Sequence, residues 1–431
     1  MRSSRLGGRT TVAAITTGLT VVSFARASAA DEASDDFAAR CAAAEVIKCV
    51  GFDDPADIAG DSQDNSGILS GASTPVLDTE SKASGASSIL FTIPSNSPAD
   101  TSGSYFTNFS EDLSVQIGES SELWVQWRQR FSVEYVTTNY AGGGGWKQVI
   151  IGTGDQPGQP YYSCTDLEVV TVNGYHRGFP SMYNSCSGSA SHGAYDGFEE
   201  PFGDYDFLLQ NARPEPYCLY SQGSTDPPTF FPPDGNCFAY APDEWMTFQV
   251  GIHTGPRVGD EFVDSRVELW VAREGQPSEM AIDWGPYNLT AGDPALDERF
   301  GKVWFLPYNT GKDPSEAHPT AYTWYDELVV SHAKIPDPGA APSDTSGAGT
   351  SSSGATSGSG ASGAGGGTNP STGSGEPSGA GAGSSGSNAD DEGSGEGCAC
   401  GASTSARSAA PLALLVLSFA VARRRRSRRI P

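Results

Sequence analysis

Through the middle of the chain apolar and polar residues alternate with a period of two, in runs rich in β-branched and aromatic side chains. Gly, Pro, Asn and Asp punctuate these runs. That period predicts strands with one buried face. The clearest run is Leu123 to Tyr135. Its odd positions are Leu123, Val125, Trp127, Phe131, Val133 and Tyr135, interrupted by Gln129. Its even positions are Trp124, Gln126, Arg128, Arg130, Ser132 and Glu134. Further strands are predicted over 146–151, 167–172, 245–253, 266–273, 302–308 and 322–331. Helical periodicity is nearly absent, apart from a turn or two within 37–50. Many strands joined by long Gly/Pro loops predict an all-β fold, a sandwich of two antiparallel sheets of jelly-roll type. No repeat of fixed period favours a propeller or an up-and-down barrel.

Composition divides the 431 residues. All eight Trp lie between Trp124 and Trp324, whereas 337–396 is Gly, Ser, Ala and Pro and cannot build a core. The expected organisation is a secretory signal peptide over 1–30, one folded domain over 31–336, a disordered linker over 337–396 and a sorting or transmembrane segment over 397–431. Arg2, Arg5 and Arg9 precede an apolar run to Ala25 and the small residues Ala27-Ser28-Ala29, the pattern of a cleaved export signal. At the other end, Cys398 and Cys400 precede the apolar stretch Ala409 to Ala422 and the cluster Arg423 to Arg426. An apolar segment closed by Arg reads as a stop with its basic end inside the cell. This three-part tail resembles the C-terminal sorting signals of myxobacterial surface proteins, called MYXO-CTERM. The resemblance implies processing near the Cys pair, a surface location and a membrane contact through the tail. A monomeric ectodomain on a flexible stalk is expected.

Charge removes one class of partner. Eleven of the 26 basic residues lie in 1–30 and 397–431, which hold no acid, so 31–396 carries 15 bases against 52 acids, a net of −37. Such a charge repels phosphate backbones and argues against nucleic acid. Cys41, Cys49, Cys164, Cys186, Cys218 and Cys237 form an even set in an exported chain and read as disulfides. Fifteen pairings are open; the sequential one closes the shortest loops and is preferred. No metal site is expected from the Cys and His spacing. The run Asp53, Asp54, Asp57, Asp61 and Asp64 offers oxygen ligands for Ca²⁺, but its spacing does not fit a 12-residue loop and a solvated acidic loop is the plainer reading.

The order of segments resembles the concanavalin A-like jelly rolls, and among them the polysaccharide-lyase group of heparin-lyase and alginate-lyase relatives. The matching pieces are Cys49-Val50-Gly51-Phe52-Asp53-Asp54 as a first strand, Trp127-Arg128-Gln129-Arg130-Phe131, and Gly145-Trp146-Lys147-Gln148-Val149-Ile150-Ile151-Gly152. Trp245 to Gly251, Arg266 to Val271 and Trp324 to Ser331 follow. The resemblance spans about residues 47–335. It implies a concave sheet whose groove accepts a polysaccharide.

Sugar sites pair aromatic platforms with planar hydrogen-bonding groups. The strand faces offer Trp124, Gln126, Arg128 and Arg130; Trp245, Gln249 and His253; Arg266, Glu268 and Trp270; and Lys302, Trp304 and Tyr308. Filling of the inter-sheet core by these Trp is the competing reading, since pattern alone does not choose the concave face. For β-elimination, Arg128 or Gln148 would neutralise the uronate carboxylate, His253 or His176 take the C5 proton, and Tyr308 or Tyr183 protonate the leaving oxygen. Lyase relatives carry a Gln-x-His strand, but here Gln148 is followed by Val149-Ile150. Lys302 and Tyr308 stand two residues out of the relatives' Tyr-x-Lys-x-Gly-x-Tyr spacing. A polyanionic substrate would need Arg128, Arg130, Lys147 and Arg177 to gather. No Glu-x-Asp-x-x-Glu string supports hydrolysis, and no nucleophile elbow, phosphate loop or His-Glu-x-x-His occurs. Two function classes remain: a surface polysaccharide lyase, and a non-catalytic glycan-binding, adhesion or structural module using the same groove.

Overall fold

A computed structural model of the chain describes residues 22–59, 66–69, 75–110, 112–138, 140, 145–157, 167–173, 178–184, 199–202, 205–218, 235–309 and 311–340. Two antiparallel sheets face one another. The first runs β13 (Arg257–Val258), β14 (Glu261–Ala272), β12 (Trp245–His253), β6 (Glu122–Phe131), β17 (Ala321–Ser331), β4 (Ser88–Ile93) and β3 (Val76–Asp78). Onto it pair β1 (Val46–Val50), along β17, and β15 (Glu279–Thr290), along β14. The second sheet runs β10 (Glu199–Phe202), β11 (Tyr205–Leu208), β9 (Ser181–Asn184), β8 (Glu168–Asn173), β7 (Trp146–Thr153), β16 (Phe300–Phe305), β5 (Ser104–Asn108) and β2 (Ser66–Leu69). The sandwich expected from the alternation is the fold found.

The core lies between the sheets and is aromatic. From the first sheet come the odd side chains Leu123, Val125, Trp127 and Phe131 of β6; from the second come Val149, Ile151, Val303 and Phe305. Phe305 stacks on Tyr325 at 4.3 Å between ring centroids, and Trp127 stacks on Phe248 at 5.4 Å. Gln129, the exception in the β6 pattern, meets Gln148 Nε2 across the gap at 3.0 Å, and Gln148 Oε1 accepts from the Tyr240 hydroxyl at 2.6 Å. Both amides are fully buried and satisfied by polar partners, which is how a core tolerates them.

The strand predicted over 302–308 is Phe300–Phe305, so Tyr308 lies beyond its end. Three further local expectations differ. The strand predicted to Tyr135 stops at Phe131, because the Ser132 hydroxyl accepts the Tyr135 N–H and caps a short helix, α3 (Val133–Thr137). The helical turn expected within 37–50 belongs to a 20-residue helix, α1 (Val22–Cys41), that ends before β1. This helix runs across the expected signal cleavage position. The first strand is Val46–Val50, not Cys49 to Asp54: Phe52 takes φ 56 to drop its ring into the core, and Asp54 caps the helix α2 (Pro55–Ile58).

Disulfides join Cys41 to Cys49 and Cys218 to Cys237, as the sequential pairing expects. Cys164 and Cys186 lie outside the described residues. Among the described residues no helix is long and apolar enough to cross a membrane.

Candidate functional site

The side chains expected to share one groove are distributed over the two outer faces of the sandwich and its interior. Trp124, Gln126, Arg128 and Arg130 on β6 stand in register with Gly251, Gln249, Thr247 and Trp245 on β12. Trp270 pairs with Gln249, so these residues share the outer face of the first sheet. That face is covered by the chain itself. Arg40 of α1 donates to Gln126 Oε1 at 2.8 Å and to the buried Glu327 carboxylate. The segment after β17 crosses next: Gln249 exchanges two hydrogen bonds with the Ile335 backbone (3.0 and 2.8 Å), Gln126 Nε2 donates to Pro336 O, and Lys334 lies over the Trp270 and Trp124 rings. Arg128 packs on Trp245 and pairs with Glu274 and Glu327; Arg130 packs on Trp324. The strap thus uses the aromatic and amide groups of this face.

His253 ends this face. Its Nδ1 is 3.4 Å from Glu122 and its Nε2 3.5 Å from Glu268, with the Trp124 ring edge-on at 5.4 Å. The Glu268 carboxylate holds its pKa above the ordinary histidine value, against the opposing effect of burial.

The outer face of the second sheet carries a different constellation. Phe106 of β5, Trp304 of β16, Ile150 of β7, Val170 and Val172 of β8 and Tyr183 of β9 form one buried apolar cluster. Two lysines enter it, each beside two aromatic rings. Lys147 Nζ is 6.0 Å from the Tyr183 ring centre and 5.5 Å from that of Tyr308. Lys302 Nζ is 5.1 Å from Phe106 and 5.2 Å from Trp304, and pairs with the Asp155 carboxylate. Asp155 is held in turn through its N–H by Asn108 Oδ1 at 2.8 Å. Desolvation lowers the Lys302 pKa, and Asp155 opposes that shift. All four central groups are shielded, with exposures of 5% for Lys147, 6% for Tyr183, 1% for Lys302 and 3% for Trp304.

Of the expected residues, then, Lys147, Lys302, Trp304, Tyr308 and Tyr183 lie in one neighbourhood, while Gln148 points into the core and His253 sits on the opposite outer face. Arg128 and Arg130 do not gather with Lys147, because they belong to different sheets. His176 and Arg177 lie outside the described residues. Phe106, Ile150, Asp155 and Asn108 were not anticipated; the alternation of Tyr105 inward and Phe106 outward is the signal that marks β5. As to Ca²⁺, Asp53 Oδ1 accepts from Ala86 and Ser87, and Asp57 Oδ2 from Asp53 and Asp54. Among the described residues no group of three or more His, Cys, Asp and Glu is arranged to hold a metal; Asp61 and Asp64 lie outside them.

No family model matches the chain, and no curated protein sequence matches it. Solved structures do. An alginate lyase from Aplysia kurodai is 11% identical with a TM-score of 0.44, covering 68% of this chain and 100% of that one. An endo-β-1,4-glucuronan lyase from the fungus Trichoderma reesei is 14% identical with a TM-score of 0.38, covering 69% and 100%. An alginate lyase from a Chlorella virus is 11% identical with a TM-score of 0.30, covering 60% and 88%.

Proposed function

We propose that the protein acts on a uronate-containing polysaccharide at the outer face of the second sheet, by β-elimination. The observation that carries the reading is the buried Lys147 beside the ring of buried Tyr183 and that of half-buried Tyr308. Elimination needs a positive charge against the C5 carboxylate, a base for the C5 proton and an acid for the departing glycosidic oxygen. Lys147 supplies the charge, and the two phenols supply groups able to accept and return a proton on either side of it. Trp304 and Phe106 offer flat faces to neighbouring sugar rings. Low exposure strengthens the Lys–carboxylate attraction, since fewer waters screen it. It also means that a chain of sugars reaches Lys147 only when the covering side chains give way.

The purified full chain, offered a panel of uronate polysaccharides with and without Ca²⁺, is expected to raise the ultraviolet absorbance of the unsaturated 4,5-bond. Lys147→Ala should lower that rate by about 10²–10³-fold, and Tyr183→Phe with Tyr308→Phe should identify the acid. A flat trace with wild-type protein, together with a glycan-induced rise in melting temperature, would replace catalysis by binding. The Trp304 and Phe106 platforms are the feature that serves that second reading equally well. We also propose export and tethering to the cell surface through 397–431, supported by the terminal sequence patterns; cell fractionation with an antibody to the folded domain tests it.

A further inference from the structure

The strap and α1 cover only one end of the first sheet's outer face. At the other end the register of five strands sets a row of outward side chains: Val76 of β3, Leu90 of β4, Trp324 of β17, Arg130 of β6 and Trp245 of β12. Their chain neighbours Ile89, Phe91, Phe131 and Tyr325 fill the core, and the period of two turns the row away from it. Tyr322 adds a second ring beside Trp324, with 5.9 Å between centroids and 30° between planes. Both positions are fixed. Trp324 Nε1 donates to Asp78 Oδ2 at 2.7 Å, and the Arg130 guanidinium lies over the indole at 5.5 Å. Ser132 N donates to Tyr322 O at 2.9 Å, and the Tyr322 N–H to Ser132 Oγ at 3.1 Å. Tyr322, Trp324 and Leu90 are only half-buried, the Arg130 side chain is 30% exposed and Val76 48%. Among the described residues no hydrogen bond, ion pair or ring contact joins these side chains to α1 or to 332–340.

Aromatic rings left partly in water forgo some of the stabilisation that burial gives, and a contiguous group of them marks a contact surface. Rings already held in place lose little freedom when a ligand arrives. A sugar suits them, since its C–H faces pack on rings and its hydroxyls meet planar donors such as the Arg130 guanidinium. Charge narrows the class. Asp78, Glu80 and Asp243 outnumber Lys82 and Arg130 around the row, and Asp243 stands 3.9 Å from the Arg130 guanidinium, which disfavours a polyanion. Length narrows it again. Neighbouring strands lie about 4.8 Å apart, so Val76 to Arg130 measures roughly 14 Å, the reach of several linked sugars rather than one. We infer that this row is a docking surface for a neutral polysaccharide strand laid across β3, β4, β17 and β6. It lies on the other sheet from the Lys147 cluster and stands whether or not Lys147 is catalytic.

The test titrates the purified full chain by calorimetry with cellohexaose, xylohexaose and mannohexaose, and with an alginate hexasaccharide as the anionic counterpart. At least one neutral probe should bind saturably. Trp324→Ala and Tyr322→Ala should each weaken that binding about tenfold, and Trp324→Phe, which keeps a ring, by less. Tyr322→Ala removes only a half-buried ring, so the test stays decisive even where Trp324→Ala fails to fold. Lys147→Ala should leave the neutral probes unaffected. Silence from every neutral probe overturns the inference, as does binding indifferent to Tyr322→Ala. Loss of neutral binding in Lys147→Ala would move the site to the second sheet and overturn it equally. So would alginate binding that Tyr322→Ala abolishes. A wild-type dimer in sedimentation that Tyr322→Ala separates would make the row a contact between copies of the chain, and this too overturns it.

Discussion

Lys302 shows what a buried charge demands of its neighbours. Its ammonium and the Asp155 carboxylate are both almost fully shielded, so each depends on the other for compensation. Breaking such a pair costs more than the pair gains, because one desolvated charge is left behind. Lys302→Met is therefore expected to lower unfolding free energy by about 3–5 kcal/mol, and the double variant Lys302→Met/Asp155→Leu to recover most of it. Denaturant midpoints measure both. Equal losses in the single and double variants would mean the side-chain packing, not the ion pair, carries the effect. His253 gives a pH test of the opposite face. Glu268 and Glu122 raise its folded pKa, with Arg266 paired to the same Glu268 carboxylate at 3.2 Å. A raised histidine pKa contributes stability that is fully present below the ordinary value of about 6.5 and is lost as pH rises through the folded value. Melting temperature should fall across that window in the wild type and less so in His253→Gln. An imidazole titrating at or below 6.5 in the folded protein, by NMR, would remove the basis for this expectation.

Among the elements, the central strands were legible, while β4, β5, β9 and the 12-residue β15 were not, and neither were the faces. The alternation in β12 and β17 reproduces those strands to within a residue, since the core fixes which side chains turn inward. In β6 the same alternation marks a polar face, and there it misleads about exposure. Trp124 and Gln126 are as hidden from water as a core residue, because α1 and the strap after β17 lie on them, and Arg128 is hidden by Trp245, Glu274 and Glu327. A pattern of two cannot report a layer contributed by residues 80 or 200 positions away. Helix α1 was hard to see for the same reason: it is held by Arg40, which bonds Asp36, Gln126 and Glu327, by Phe37 and Cys41 packed beside Trp124 and Val329, and by the Cys41–Cys49 disulfide, all of them contacts to distant strands. Glu327 is buried and sits at φ 49, a backbone position held only by its surroundings. Arg40→Ala should thus cost about 3–5 kcal/mol by leaving the buried Glu327 with only the longer Arg128 contact at 3.9 Å. Amide exchange over 32–41 should speed up while β7 and β16 keep their protection. Uniform acceleration across the whole domain would show that α1 folds with the sandwich as one unit.

For the whole molecule, the two outer faces make opposed predictions from similar chemistry. Each presents tryptophan, cations and planar side chains, which is why the sequence alone assigned them to one groove. The structure divides them by what already satisfies those groups. On the first sheet the chain's own amides, carboxylates and Lys334 occupy the positions a glycan would need: both Gln126 and Gln249 are bonded to the 335–336 backbone. On the second sheet Lys147 lies beside the Tyr183 and Tyr308 rings, and Lys302, paired with Asp155, lies beside Phe106 and Trp304. Arg128→Ala and Lys147→Ala should therefore separate. Arg128→Ala removes the second, longer ion pair of Glu327 at 3.9 Å and the cover of Trp245, so it is expected to lower the melting temperature while product formation or glycan affinity per folded molecule stays within about twofold. Lys147→Ala should do the reverse, leaving the melting temperature nearly unchanged and abolishing the response to polysaccharide. If Arg128→Ala were the variant that lost the glycan response while staying folded, the strap would have to lift from the first sheet in solution. The groove would then lie beneath it.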